Sequence, residues 1–110
     1  MEAKYSESSE SRYNYKDSRG ALLAGDHVVA NGQRSLVAGQ YNFVNGDFAG
    51  SLGHTNSVRG KNAMAFGYGN IANGHNATAL NESNKVLGYG SLGYGDNNVV
   101  LGTDSIIGGW

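Results

Sequence analysis

At 110 residues the chain has room for one domain and a modest core, and its composition is unusual: Gly supplies 18 residues, Asn 13 and Ser 11, with Pro and Cys absent. The missing cysteines exclude a disulfide framework and thiolate metal sites, and a formal charge of −1 gives no electrostatic footprint for nucleic acid or an anionic membrane. So much Gly, Asn and Ser would ordinarily indicate disorder, yet 39% of the residues are apolar, and their arrangement decides the matter.

Residues 1–19 come first and are polar and aperiodic, with four acidic and four basic side chains, five Ser and three Tyr. The opening Met1-Glu2-Ala3-Lys4-Tyr5-Ser6-Glu7-Ser8 lacks the apolar core of a secretory signal, and no later apolar run approaches the ~18 residues of a membrane span. Ser11 and Ser18 keep the seven-residue spacing that follows. The stretch from Arg12 to Ser18 therefore reads either as a degenerate strand capping a repeat array or as a disordered tail.

From residue 20 onward the chain is a repeat. Gly25, Gly32, Gly39, Gly46, Gly53, Gly60, Gly67, Gly74, Gly88, Gly95, Gly102 and Gly109 fill twelve of thirteen teeth of a seven-residue comb, and Asn81 fills the other. Asn tolerates a left-handed backbone better than most residues. The comb therefore predicts a turn with φ > 0 at every tooth. The fifth heptad position is Leu at 23 and small or β-branched thereafter, from Ala30 to Val100 and Ile107, and is never charged. The third position alternates: Ser35, Ala49, Ala63, Ala77, Ser91 and Ser105 in one set, Asn42, Asn56, Asn70, Asn84 and Asn98 in the other. The unit is therefore 14 residues in two unequal halves, repeated six times from Asp26 to Gly109.

A coiled coil is excluded, because a Gly in every heptad costs ~1 kcal/mol each in a helix. Strands of about five residues separated by glycine turns fit instead, two per unit. The result is a parallel β-solenoid whose coils stack ~4.8 Å apart. The five recurring Asn predict an internal ladder of amide hydrogen bonds. Outward positions in one half are Leu36/Ala38, Gly50/Leu52, Met64/Phe66, Thr78/Leu80, Leu92/Tyr94 and Ile106/Gly108, with no charge in six coils. The other half is mixed and includes Arg59 and Lys85. The uncharged face predicts an interface between identical copies through Leu36, Leu52, Met64, Phe66, Leu80, Leu92, Tyr94 and Ile106. The alternative is scattered surface apolar residues, which are common.

The units resemble the head repeats of YadA-like trimeric autotransporter adhesins. The matching stretches are Asn62-Ala63-Met64-Ala65-Phe66-Gly67, Asn76-Ala77-Thr78-Ala79-Leu80-Asn81 and Asn97-Asn98-Val99-Val100-Leu101-Gly102, with looser copies at 34–39 and 104–109. The resemblance covers residues 20–110 and implies a left-handed parallel β-roll that forms a side-by-side homotrimer. It also implies a head on a coiled-coil stalk above an outer-membrane anchor on the bacterial surface, binding host matrix or host cell-surface proteins. The chain shows no signal peptide, neck, stalk heptads or anchor. It reads as the head portion of such a protein, making no membrane contact itself, or as a head-like module of another trimeric fibre.

Searching for chemistry yields little. His54 and His75 fall on opposite edges of the roll, too far apart to share a metal; Gly60-Lys61-Asn62 lacks the spacing of a phosphate loop. No Ser/His/Asp grouping has support beyond composition. The expectation is no enzyme, no cofactor and no metal. Binding is better supported. Tyr41, Phe48, Tyr68 and Tyr89 recur next to the turns, and aromatics on a rigid surface suit protein recognition; ordinary edge stacking is the competing account. His54, Arg59 and Lys61 would give a small basic patch for an acidic partner, with solvated surface decoration the favoured account of these side chains. Two functions follow: an adhesin head with a host-protein ligand, or a structural spacer in a stalk or phage tail fibre with no ligand of its own.

Overall fold

The computed structural model describes residues 15–16 and 20–110. Of the candidate capping stretch Arg12–Ser18, only Tyr15 and Lys16 fall within the described residues. In chain order the strands are β1 (Tyr15–Lys16), β2 (Leu22–Asp26), β3 (Val29–Ala30), β4 (Leu36–Gln40), β5 (Phe43–Val44), β6 (Gly50–His54) and β7 (Ser57–Val58). They continue as β8 (Met64–Tyr68), β9 (Ile71–Ala72), β10 (Thr78–Glu82), β11 (Lys85–Val86), β12 (Leu92–Asp96), β13 (Val99–Val100) and β14 (Ile106–Gly109). Even-numbered strands form one seven-stranded sheet and odd-numbered strands a second. Pairing is parallel throughout, at a constant offset of one unit, as in Met64↔Thr78 and Ile71↔Lys85. The same offset joins Tyr15 to Val29 at the N-terminal end. The protein is thus an all-β parallel solenoid of about six turns, one per 14-residue unit.

The two halves of a coil are less alike than the sequence predicts. The even strands, a wide sheet, run five residues in all but the last; the odd strands, a narrow sheet, run two. Between the sheets lies a core of small side chains. Leu23, Val37, Ser51, Ala65 and Ala79 enter from the wide sheet, and Ala30, Val44, Val58, Ala72, Val86 and Val100 from the narrow one, all fully buried. Sizes are matched across the gap: a Cβ at Gly93 would lie 2.8 Å from Val86 Cγ2 and 3.0 Å from Val100 Cγ2.

Asn42, Asn56, Asn70 and Asn84 stack along one edge of this core, each at most 1% exposed. Contact between successive amides is the lesser part of the ladder; most of it ties side chain to backbone. Asn70 Nδ2 donates to Phe66 O (3.0 Å) and Asn81 O (2.9 Å), while its Oδ1 accepts the Asn84 N–H at 2.9 Å. Asn56 and Asn84 repeat the pattern and add amide-to-amide bonds of 3.1 and 3.3 Å to the coil before. The ladder starts at Asn42, because Val28 holds the equivalent place in the first coil and is fully buried. Each Asn pairs a backbone N–H and two carbonyls that the coil turns inward, where no water reaches them.

The glycine comb is two combs with different backbone conformations, which corrects the single left-handed turn predicted for every tooth. Gly25, Gly39, Gly53, Gly67, Gly95 and Gly109, with Asn81, have φ between 90° and 130°, but they lie inside the wide strands rather than at turns. Gly32, Gly46, Gly60, Gly74, Gly88 and Gly102 lie outside the strands and have no positive φ. Both sets lack space for a side chain: a Cβ on Gly60 would collide with the Gly74 carbonyl, its carbon 2.5 Å away, and one on Gly67 with the Asn81 carbonyl, its carbon 2.9 Å away; at Gly60 this is the whole constraint, at Gly67 the left-handed φ adds to it. The left-handed corner residue sits two places after each tooth. His27, Arg34, Tyr41, Phe48, Thr55, Asn62, Asn76, Ser83, Asn97 and Asp104 have φ of 53–62°, and Gly69 and Gly90 complete the series. There the N–H turns back to the preceding coil, as from Phe48 to Gln33 O at 2.9 Å and from Thr55 to Gln40 O at 3.0 Å.

Candidate functional surface

Because strand side chains alternate, the wide sheet sends two registered columns outward on one face. The first is Leu22, Leu36, Gly50, Met64, Thr78, Leu92 and Ile106; the second is Ala24, Ala38, Leu52, Phe66, Leu80, Tyr94 and Gly108. Neither contains a charge. All eight residues predicted from sequence for the apolar face fall in these columns. Leu36, Leu52, Met64, Tyr94 and Ile106 are exposed, and Phe66, Leu80 and Leu92 are half-buried by their neighbours. The sequence reading missed Leu22 and Ala24, which extend both columns by one coil. Leu22 is 49% exposed, and its place two residues after Gly20, in the register of Leu36, was the available signal. A third outward column, Asp26, Gln40, His54, Tyr68, Glu82 and Asp96, makes a polar border.

The residues predicted as a ligand surface do not form one site. Successive heptads turn opposite corners, so Tyr41, His54 and Tyr68 line one edge of the solenoid, and Phe48, Lys61 and Tyr89 line the other. Arg59 projects from the narrow sheet, its guanidinium 5.2 Å from the Phe43 ring centroid. The basic patch expected from His54, Arg59 and Lys61 is therefore absent: His54 lies across the roll from the other two.

The edge aromatics are exposed, but their ring faces are largely occupied by one another. His27 stacks on Tyr41 at 4.7 Å between centroids, Tyr41 meets His54 edge-on at 5.9 Å, and His54 stacks on Tyr68 at 5.2 Å. On the other edge His75 and Tyr89 make a T-shaped contact at 6.4 Å, and Arg34 lies over Phe48. The strand spacing of ~4.8 Å sets this: rings in successive coils fall at stacking distance whenever both positions are aromatic. Edge stacking is the account the geometry favours for these rings.

Among the described residues, no group of three or more His, Asp or Glu is placed to hold a metal ion, and no helix is long and apolar enough to cross a membrane. What the molecule offers is surface: one flat uncharged face, one mixed face and two decorated edges. It belongs by construction to the parallel β-solenoids, scaffolds that present flat arrays. More narrowly, residues 59–80 match the YadA head domain repeat in two copies, and the 14-residue turns of the whole solenoid fit a YadA-like head repeat. No curated protein sequence matches the chain significantly.

Proposed function

We propose that this chain is a head module of a trimeric autotransporter adhesin on the bacterial cell surface, associating with two further copies and binding a host matrix or cell-surface protein. The observation that carries the reading is the match at residues 59–80 to the YadA head repeat, within a solenoid whose coils keep that repeat's length throughout. The uncharged double column of the wide sheet supports the homotrimer, since a charge-free stripe across seven strands is better covered than solvated. Repetition supports adhesion, because identical surfaces on three chains multiply weak contacts into avidity. Both the solenoid and the repeat family suit a binding module rather than an enzyme.

Two residues are central to the test. Light scattering on the isolated chain is expected to give a trimer, which Leu52→Lys breaks and Ser57→Lys, on the narrow sheet, does not. The wild-type trimer is then passed over immobilised matrix proteins and host cells. Saturable binding supports the adhesin. An intact trimer that binds none of them supports the second reading, a structural fibre module, which the mutual stacking of the edge rings favours. A monomer at micromolar concentration overturns the interface assignment.

A further inference from the structure

We propose that Asn45 and Asn73 are sites of spontaneous modification, each closing on the backbone nitrogen of the glycine after it and ending as aspartate or isoaspartate. Asparagine is among the thermolabile residues, and a following glycine, with no Cβ, hinders the approach least. The solenoid sets up this pairing on its narrow side. Gly32, Gly46 and Gly74 cannot carry a side chain, because a Cβ on any of them would collide with the carbonyl one coil on. Asn31, Asn45 and Asn73 precede them in the column that also holds Arg59. In the reaction the glycine N–H gives its proton to solvent base, and its nitrogen bonds to the asparagine carboxamide carbon. Ammonia leaves, and water opens the cyclic imide at either carbonyl.

The structure separates the three sites. Asn45 and Asn73 are exposed, and among the described residues nothing hydrogen-bonds their carboxamides. Asn31 is half-buried with its Oδ1 sealed from solvent, so its carboxamide must first turn outward. The Asn45–Gly46 peptide makes no backbone hydrogen bond among the described residues, through either its carbonyl or its N–H, so it can rotate toward the side chain without losing one. At the Asn73 site the Gly74 N–H holds Val86 O by a long bond of 3.4 Å. Gly46 is buried and Gly74 half-buried, so ring closure requires a local opening and is slower than in the unfolded chain. An aspartate at 45 would stand in register with Arg59, since Phe43 and Val44 pair with Ser57 and Val58. The isoaspartyl product instead inserts a methylene into the backbone of a coil whose neighbours keep a constant 14-residue offset.

Peptide mapping tests the assignment, whatever the module binds. The folded chain and the chain unfolded in guanidinium are aged side by side in mildly alkaline buffer, then digested with trypsin. Cleavage after Arg34, Arg59, Lys61 and Lys85 puts Asn31, Asn45 and Asn73 in separate peptides, and tandem mass spectrometry locates each amide-to-acid conversion. In the folded chain Asn45 and Asn73 are expected to convert roughly tenfold faster than Asn31, a spread that collapses in guanidinium, where all three react faster. The variant Asn45→Ser should lose the signal from its peptide and leave that of Asn73 unchanged. If Asn31 keeps pace with the other two in the folded chain, the structural ordering is wrong. If Asn45 and Asn73 stay intact there while the unfolded chain converts, the fold protects them and the proposal fails.

Discussion

Replacing Gly60 by Ala separates two explanations of the glycine comb. If each tooth were needed for a left-handed backbone, Gly60 would resemble Gly67; but Gly67 has φ of 125° and Gly60 has no positive φ. At Gly60 the obstacle is the next coil. A Cβ would collide with the Gly74 carbonyl, lying 2.5 Å from its carbon and 3.1 Å from Asn73 O. Ordinary carbon–carbon contact is ~3.5–4.0 Å, so the coils must part by roughly 1 Å. The adjoining hydrogen bonds, Arg59 N–H to Ala72 O at 3.0 Å and Gly60 N–H to Ala72 O at 3.3 Å, cannot survive that opening. Losing two such bonds costs about 2 kcal/mol, and overpacking adds roughly 1–3 kcal/mol. The expected loss is about 3–5 kcal/mol, a large part of a typical 5–15 kcal/mol stability. Thermal melts of Gly60→Ala and Gly67→Ala, at fixed protein concentration because association shifts the midpoint, should both fall steeply. Gly50→Ala, whose Cβ has room, should be within about 1 kcal/mol of wild type. A Gly60→Ala variant that loses under about 1 kcal/mol would refute the steric account.

Three smaller perturbations test other parts of the coil. Asn70→Ala strands the buried Asn84 N–H and two carbonyls and is expected to cost about 3 kcal/mol by urea denaturation; Asn98→Ala, at a half-buried rung, should cost less than half as much. Ser51 is fully buried, and its Oγ has no hydrogen-bond partner among the described residues, so Ser51→Ala should stabilise by about 1 kcal/mol, seen as a higher urea midpoint at unchanged slope. Thr55 is β-branched at φ of 60°, and Thr55→Asn should raise stability by roughly 0.5–1 kcal/mol; a fall would show that the Thr55 hydroxyl contact with His54 Nδ1 outweighs the backbone strain.

Most of the architecture is written in the sequence because a solenoid repeats its constraints. The spacing of Gly39, Gly53 and Gly67 gives the coil length, and the alternation of Ala63 with Asn70 shows that the coil has two unequal halves. Inward Val and Ala and outward Leu and Met follow from strand alternation. The comb's causes were not legible, because φ and close approach both select glycine and spacing alone cannot separate them. The corner residues were invisible for the opposite reason: inter-coil hydrogen bonds hold Tyr41, Phe48 and Thr55 in a left-handed conformation that their types do not announce. The basic patch failed because adjacency along the chain at His54, Arg59 and Lys61 spans half a coil, which carries a side chain across the molecule.

The contact pattern also bears on how such a protein can change over generations. Each strand packs on those one unit before and after it and on the neighbouring strands of its own turn, as β6 does with β4, β8, β5 and β7. Excising or duplicating 14 residues anywhere in the array rejoins equivalent backbone positions and leaves the remaining contacts in place, whereas a change of seven would set a wide strand against a narrow one. The reach of the module is therefore adjustable in increments of ~4.8 Å, each made by one in-frame slippage of a 42-nucleotide repeat.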